Sequence, residues 1–183
     1  MLTVIIGVGG RHGGGRTTIA KLLAKKLRLR YVGIGNIFRE MAEEKGMSIE
    51  EFNKYVEAHP GIDKEADKRQ IREARKGGVV LDSNLGCKLI KKMNLKVWLT
   101  APEQVRAKRI IKAKRLADTH EKSIRNEIRD LHYREESEQR RYNRLYGIDL
   151  FDLTCYDLII NTQKWKPPQI VGIIARAVKT EVR

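Results

Sequence analysis

Short apolar segments alternate with longer amphipathic segments along most of this chain. After the first apolar segment, Ile19, Leu22, Leu23 and Leu27 recur at the spacing of one helix face. Strands that are almost continuously apolar and alternate with helices are typical of a parallel sheet with helices on both faces. The pattern therefore predicts an α/β fold with strands at residues 2–6, 31–34, 79–82, 96–100 and 156–161.

Several helix boundaries are marked by residues that are typical of helix ends. Ser48 is followed three positions later by Glu51, which is the spacing of a capping box at a helix start. Gly46 and Gly77 end the helices before them, and Pro102 begins the helix after the fourth strand. Further helices are predicted over residues 63–76, 118–146 and 167–182, of which the second is long and highly charged.

The composition limits the size and the class of the protein. With 183 residues, of which 41% are hydrophobic, the chain has the length of one domain and can form a buried core. Cys87 and Cys155 are its only cysteines, which excludes a disulfide framework or a zinc site as the organising feature. No apolar run approaches the roughly 20 residues of a membrane helix, and the first residues do not resemble a secretory signal. We therefore expect a cytoplasmic protein that does not enter the membrane.

The chain is strongly basic, with 38 lysines and arginines against 23 aspartates and glutamates, and its formal net charge is +15. The excess is spread along the chain, although residues 106–115 form a cluster that contains only basic charges. Such a surface favours a polyanionic partner, and both a nucleoside triphosphate and RNA satisfy that description. The alternative is a solvated basic surface that serves only solubility.

A glycine-rich segment between the first strand and the first helix carries the clearest chemical signal. Residues 10–17 read GRHGGGRT and match the phosphate-loop pattern G-x-x-x-x-G-K-[ST] except that Arg16 replaces the lysine. Glycines allow successive main-chain N–H groups to face an anion, and the helix that follows adds its positive end. A purely connective turn is the alternative, but so many glycines cost conformational entropy.

The loop predicts where a triphosphate and its metal ion would bind. Thr17 offers a hydroxyl to Mg²⁺, and Asp82, at the end of the third strand, would orient the ion through water. Asp82 could instead only cap a neighbouring loop. The residues predicted to bind ATP are Gly10, Arg11, His12, Gly13, Gly14, Gly15, Arg16, Thr17 and Thr18.

Other segments add a resemblance to a known family. Arg39 lies in the sequence GNIFRE at 35–40, the segment 134–142 reads REESEQRRY, and residues 146–150 and 156–162 read YGIDL and YDLIINT. Together with the phosphate loop, these segments resemble nucleoside monophosphate kinases, and most closely the archaeal-type cytidylate kinases. The resemblance covers about residues 2–180, with the lysine-to-arginine change in the loop as a departure.

The resemblance implies a single kinase domain over residues 1–183 that uses ATP and Mg²⁺ to phosphorylate CMP or dCMP. It implies five parallel strands, a helical arm at about 34–76 that binds the monophosphate, and a helical lid at about 110–146. Arg16, Arg109 and Arg134 would act on the transferred group. Arg39, Glu138 and Arg141 would bind the acceptor, while residues 162–164 would border the adenine through main-chain atoms.

Other functions remain open at this stage. One alternative is a catalytically weak relative that binds RNA or ribonucleoprotein through basic residues 106–115 and Lys88, Lys91, Lys92 and Lys96. Aromatic residues make up only 6% of the chain, so platforms for stacking bases are scarce. Another alternative is a kinase or ATPase for a different small acceptor. We expect a monomer in each case.

Overall fold

The computed structural model describes residues 4–59, 61–115 and 123–181. Its five strands form one parallel sheet in the order β2-β3-β1-β4-β5. The strands are β1 (Ile5–Gly10), β2 (Arg30–Gly33), β3 (Val79–Asp82), β4 (Leu95–Thr100) and β5 (Leu158–Asn161). The predicted five-stranded α/β fold is therefore confirmed.

The described helices fill the connections between the strands. They are α1 (Arg16–Leu27), α2 (Ile34–Glu44), α3 (Ile49–Ala58), α4 (Gly61–Arg75), α5 (Asn84–Leu89), α6 (Glu103–Arg115), α7 (Ile124–Tyr146) and α8 (Pro167–Glu181). None of the described helices is long and apolar enough to cross a membrane. The predicted capping box is present, since Ser48 accepts a hydrogen bond from the Glu51 main chain and the Glu51 carboxylate accepts one in return.

The two faces of β1 explain how the sheet is covered. Ile6 and Val8 are fully buried and belong to the main core, in which α1 and α8 pack against the sheet. The glycines between and after them face the opposite side, where Cys87 and Tyr156 approach so closely that a Cβ atom at Gly7 or Gly9 would collide with them. Small residues on one face of β1 thus allow a second layer to pack closely on that face.

Helices α2, α3 and α4 form the segment that the resemblance identifies as an acceptor arm. They share a separate hydrophobic cluster that includes Ile37, Met41, Phe52, Val56 and Ala66. The arm therefore has packing of its own beside the main core.

The structure corrects several predicted boundaries. β1 runs on to Gly10, so the strand includes glycines that the sequence pattern assigns to the loop. Ile34 begins α2 instead of ending β2, and α5 has no counterpart among the predicted helices. Residues 2 and 3 of the first predicted strand, and the part of the predicted 118–146 helix before residue 123, lie outside the described residues.

Candidate active site

The phosphate loop lies where β1 ends and α1 begins. Gly10 and Gly13 have φ angles of 149° and 73°, which side-chain-bearing residues rarely adopt. A Cβ atom at Gly10 would come within 2.3 Å of the Leu99 carbonyl oxygen, and one at Gly13 within 2.7 Å of the Arg106 carbonyl oxygen. The glycines are therefore required both by the turn and by the close approach of β4 and α6.

A polar cluster forms at the start of α1. The Thr17 hydroxyl donates a hydrogen bond to Oδ2 of Asp82 at 2.7 Å, and Arg16 Nε lies 3.2 Å from Oδ1 of the same carboxylate. Tyr31 also donates to Oδ2, at 3.1 Å, and burial together with the Asp82 charge raises the pKa of Tyr31 to about 12. The predicted metal residues Thr17 and Asp82 are thus in direct contact with each other.

These residues fit a magnesium ion that is completed by phosphate and water. Mg²⁺ prefers oxygen ligands and is usually held by only one or two protein groups beside substrate phosphates. Asp82 Oδ1 is buried and accepts no hydrogen bond from any described residue. The structure shows no group of three or more metal-ligating side chains in its described part, so the protein alone does not form a complete cage.

A cavity of about 580 Å³ extends from the phosphate loop along α6 and α8. All the residues predicted to bind ATP line it except Gly10 and Gly14. Its lining also includes apolar side chains, namely Ile110, Ala113, Trp165, Pro167 and Ile170. A cavity lined both by a phosphate loop with arginine side chains and by apolar residues suits a ligand with an anionic part and an apolar part, such as a nucleoside triphosphate.

Arg109 also lines this cavity. Its guanidinium group donates to the Thr162 hydroxyl at 2.8 Å and to the Thr162 carbonyl oxygen at 2.9 Å. Thr162 itself donates to the Gly14 carbonyl oxygen at 2.9 Å. The predicted catalytic arginine is therefore held by Thr162, the residue directly after β5, and lies against the phosphate loop.

The tip of the loop is bound to α7 through predicted site residues and through Glu135 and Arg106, which have no predicted role in the site. Glu135, which is 4% exposed, binds Arg11 and Arg106 at 2.6 Å each. Arg106 also donates to the His12 carbonyl oxygen at 3.0 Å, and His12 Nε2 lies 2.9 Å from Glu138 Oε1. The sequence signals for Glu135 are its place in the segment 134–142 that carries the family resemblance and its position four residues after Leu131 on the apolar stripe of the helix.

The C-terminal part of α7 binds α4 of the segment that the resemblance identifies as the acceptor arm. Arg141 donates to Asp63 Oδ2 at 3.1 Å, and the Tyr146 hydroxyl donates to Asp67 Oδ2 at 2.7 Å. Burial raises the pKa of both carboxyl groups, to about 6 for Asp67, although Arg141 opposes the shift of Asp63. Two buried acids, one helical turn apart on α4, thus hold the arm against α7.

The structure does not bring every predicted residue into the cavity. Arg39 is exposed on α2, where it donates to the Asn36 side chain, and Arg134 is exposed on α7. Neither residue lines the cavity at the phosphate loop. Glu138 and Arg141 lie on the face of α7 that contacts the loop and the arm. The roles of these four residues stay predictions.

Asn84 is a further residue that the sequence analysis does not assign to the site. It begins α5, is 8% exposed, and its Oδ1 accepts a hydrogen bond from the Gly10 main chain at 2.7 Å. Ser83 caps the helix by accepting from the Gly86 main chain. The Asn84 side chain therefore stabilises the start of the phosphate loop.

Comparisons with known proteins agree with this geometry. A sequence profile of the cytidylate kinase-like family matches residues 5–164. A protein of Pyrococcus horikoshii named cytidylate kinase is 45% identical over 175 residues, which cover 96% of this chain and 88% of that protein. Its namesake in Methanocaldococcus jannaschii is 43% identical over 179 residues, covering 96% and 97%.

Solved structures with low sequence identity share the fold. Shikimate kinase from Bacteroides thetaiotaomicron superposes with a TM-score of 0.64 at 16% identity, covering 96% of this chain and 98% of that one. Shikimate kinase from Aquifex aeolicus gives a TM-score of 0.62, also at 16% identity, with 98% of each chain covered.

Proposed function

The chain belongs to the cytidylate kinase-like family, and we propose that it transfers a phosphoryl group from ATP to CMP or dCMP, giving CDP or dCDP. The resemblance drawn from the sequence is thereby confirmed at the level of the family. The observation that carries the proposal is the cavity that joins the phosphate loop, Arg109 and apolar side chains into one space. The proposed reaction takes place in the cytoplasm.

The donor half of the reaction follows from the residues around the loop. Main-chain N–H groups of residues 13–18 and the positive end of α1 would hold the phosphates. Arg16 and Arg109 would stabilise the charge that spreads over the transferred group, because guanidinium groups bind phosphate oxygens in pairs. Thr17 and Asp82 would hold Mg²⁺, which neutralises part of the charge on the phosphates when it is bound.

The acceptor half rests on the arm and on α7. We propose that Arg39 and Arg134 bind the phosphate of the acceptor and that Glu138 and Arg141 contact its base. Phosphoryl transfer requires the two anionic nucleotides to be held in line, and it requires water to be excluded so that ATP is not hydrolysed. Exposed arginines on two separate helical segments suit an acceptor site that closes around the bound nucleotide.

The proposal is tested by measuring ADP release with ATP, Mg²⁺ and a panel of nucleoside monophosphates. Turnover should be strongest with CMP or dCMP. Absence of turnover with every acceptor, together with salt-sensitive binding of RNA, would overturn the proposal in favour of a nucleic-acid-binding role. Turnover that is strongest with an unrelated small acceptor would contradict the assignment of the substrate.

Variants of Arg16 test the site itself. Arg16→Ala should lower kcat by orders of magnitude, because it removes a charge that is already positioned for the transition state. Arg16→Lys should keep or raise activity, since a lysine restores the usual phosphate-loop pattern. Lys26→Ala is the matched control, because Lys26 is exposed on the same helix. Full activity of the Arg16→Ala variant would show that the transfer site lies elsewhere.

A further inference from the structure

One face of α7 connects the two halves of the proposed active site. Towards the phosphate loop, Glu135 binds Arg11 and Glu138 binds His12. Towards the acceptor arm, Arg141 binds Asp63 and Tyr146 binds Asp67. A single helix thus contacts both the donor loop and the acceptor arm through side-chain hydrogen bonds.

The His12–Glu138 pair joins a residue that lines the donor cavity to a residue that we propose contacts the acceptor base. The side chains are 19% and 23% exposed, and Nε2 of His12 lies 2.9 Å from Oε1 of Glu138. Burial raises the pKa of Glu138, but the charges of His12, Arg16 and Arg141 outweigh it, so the pKa lies below its usual value. An ionised carboxylate only accepts hydrogen bonds, which means that Nε2 of His12 carries the hydrogen of this bond.

The Nε2–H group of His12 cannot bind two anions at once. His12 lines the donor cavity at the tip of the phosphate loop, where the phosphates of a bound triphosphate would lie. A triphosphate carries more negative charge than a single carboxylate and presents several acceptor oxygens. Donor binding therefore competes with Glu138 for His12.

A Glu138 that has lost His12 needs another hydrogen-bond donor, because an unsatisfied half-buried carboxylate is costly. The positive charges of Arg16 and Arg141 also lower its pKa and so favour the ionised form. The exocyclic amino group of cytosine is such a donor, whereas uracil presents a carbonyl oxygen at the same position and would be repelled. A freed Glu138 therefore favours an acceptor base that carries an amino group.

We propose that His12 is a positioning residue for the acceptor site. Binding of the donor triphosphate draws His12 away from Glu138, and Glu138 then accepts a hydrogen bond from the amino group of the acceptor base. Donor and acceptor thus bind cooperatively, and the preference for cytosine over uracil develops only when the donor is bound. This inference rests on the proposed function.

The test is the dissociation constant of CMP, measured with and without a non-hydrolysable ATP analogue. In the wild-type protein the analogue should tighten CMP binding about fivefold or more. In His12→Ala, CMP should bind without the analogue as tightly as it binds to the donor-loaded wild type, so that the analogue changes nothing further. His12→Gln keeps an N–H donor near Glu138 and should retain most of the cooperativity.

The control is His132→Ala. His132 also contacts a glutamate, since its Nε2 lies 2.9 Å from Oε2 of Glu103. Both of these side chains are about half exposed, and neither lines the donor cavity. This variant should keep the wild-type cooperativity. A His12→Ala variant that keeps it too, or a His12→Gln variant that loses it fully, would overturn the proposal.

Two results separate this inference from the proposed function. If the wild type binds and phosphorylates CMP but the analogue does not change the affinity for CMP, only the cooperative role of His12 is wrong. If the wild type neither binds nor phosphorylates CMP, the proposed function is wrong as well. The imidazole ¹⁵N resonances of His12 offer a readout without any variant, because they should shift when inorganic tripolyphosphate binds, and an unchanged spectrum on binding would refute the exchange.

Discussion

The ion pair between Arg106 and Glu135 yields a quantitative prediction for stability. The two side chains are 3% and 5% exposed, and their closest atoms are 2.6 Å apart. Glu135→Leu leaves the guanidinium group of Arg106 buried without its counter-charge. Breaking a buried pair from one side costs about 3–5 kcal/mol, a large part of the roughly 5–15 kcal/mol that stabilises a domain.

The double variant Glu135→Leu/Arg106→Met should recover most of that loss. Arg106 Nε is buried and has no hydrogen-bond partner among the described residues, so the native pair does not fully compensate its desolvation. Replacing both partners of such a pair by apolar residues is often neutral or stabilising. Donor affinity should nevertheless fall roughly tenfold or more in the double variant, because replacing Arg106 removes the hydrogen bond to the His12 carbonyl oxygen in the phosphate loop.

Urea denaturation followed by circular dichroism measures the free energy of unfolding, and titration with an ATP analogue measures donor affinity. Glu136→Leu is the control, because Glu136 pairs with Arg140 at 3.5 Å on the exposed face of α7. This variant should lower the free energy of unfolding by less than about 1 kcal/mol. The prediction would be refuted if Glu135→Leu lowered the free energy of unfolding as little as the control does. It would also be refuted if the double variant were no more stable than Glu135→Leu alone.

Two further predictions concern Asp67 and Trp165. The pKa of Asp67 is about 6 in the folded state and roughly 3.9 in the unfolded chain, so its contribution to stability is lost as the pH rises from about 4 to 6. Asp67→Asn should therefore gain stability relative to the wild type between pH 4 and pH 8 in urea denaturation, and a constant difference would contradict this. Trp165, 47% exposed in the donor cavity, should stack on the base, so ATP but not tripolyphosphate should quench its fluorescence. Trp165→Phe should abolish the quenching because the remaining Trp98 is buried, and quenching that persists would contradict the placement of the base.

The sequence predicts the parts of this structure that depend on local patterns. The apolar segments, the capping box at Ser48 and the glycine-rich loop are all encoded within a few neighbouring residues, so their spacing is sufficient to identify them. The sequence pattern does not predict helix α5, because the helix is only six residues long and includes Gly86. Ser83 is the type of residue that caps a helix, but no apolar periodicity follows it.

The buried charges could not be predicted in the same way. Asp63 pairs with Arg141 and Arg11 pairs with Glu135, and each pair joins segments that are far apart in the sequence. Acids are mostly exposed in proteins, so a local pattern assigns them to the surface unless tertiary partners are known. The exposure of the basic cluster at 106–115 could not be predicted from local sequence either. Arg106 is buried in an ion pair with Glu135 and does not contribute to the basic surface.

These ion pairs bear on how tightly the proposed site would bind a triphosphate. In the structure, Arg11 and Arg16 are each paired with a carboxylate, and Arg109 is held by Thr162. Under the proposed function, a triphosphate would exchange these partners, and its affinity would be the difference between phosphate and carboxylate contacts. An arginine in the place of the usual lysine suits this exchange. Arg16 Nε lies beside Asp82 while Nη1 donates to the Gly10 carbonyl oxygen, so under the proposed function Nη2 would be the nitrogen that reaches a phosphate, whereas the single ammonium of a lysine has one centre for all these contacts.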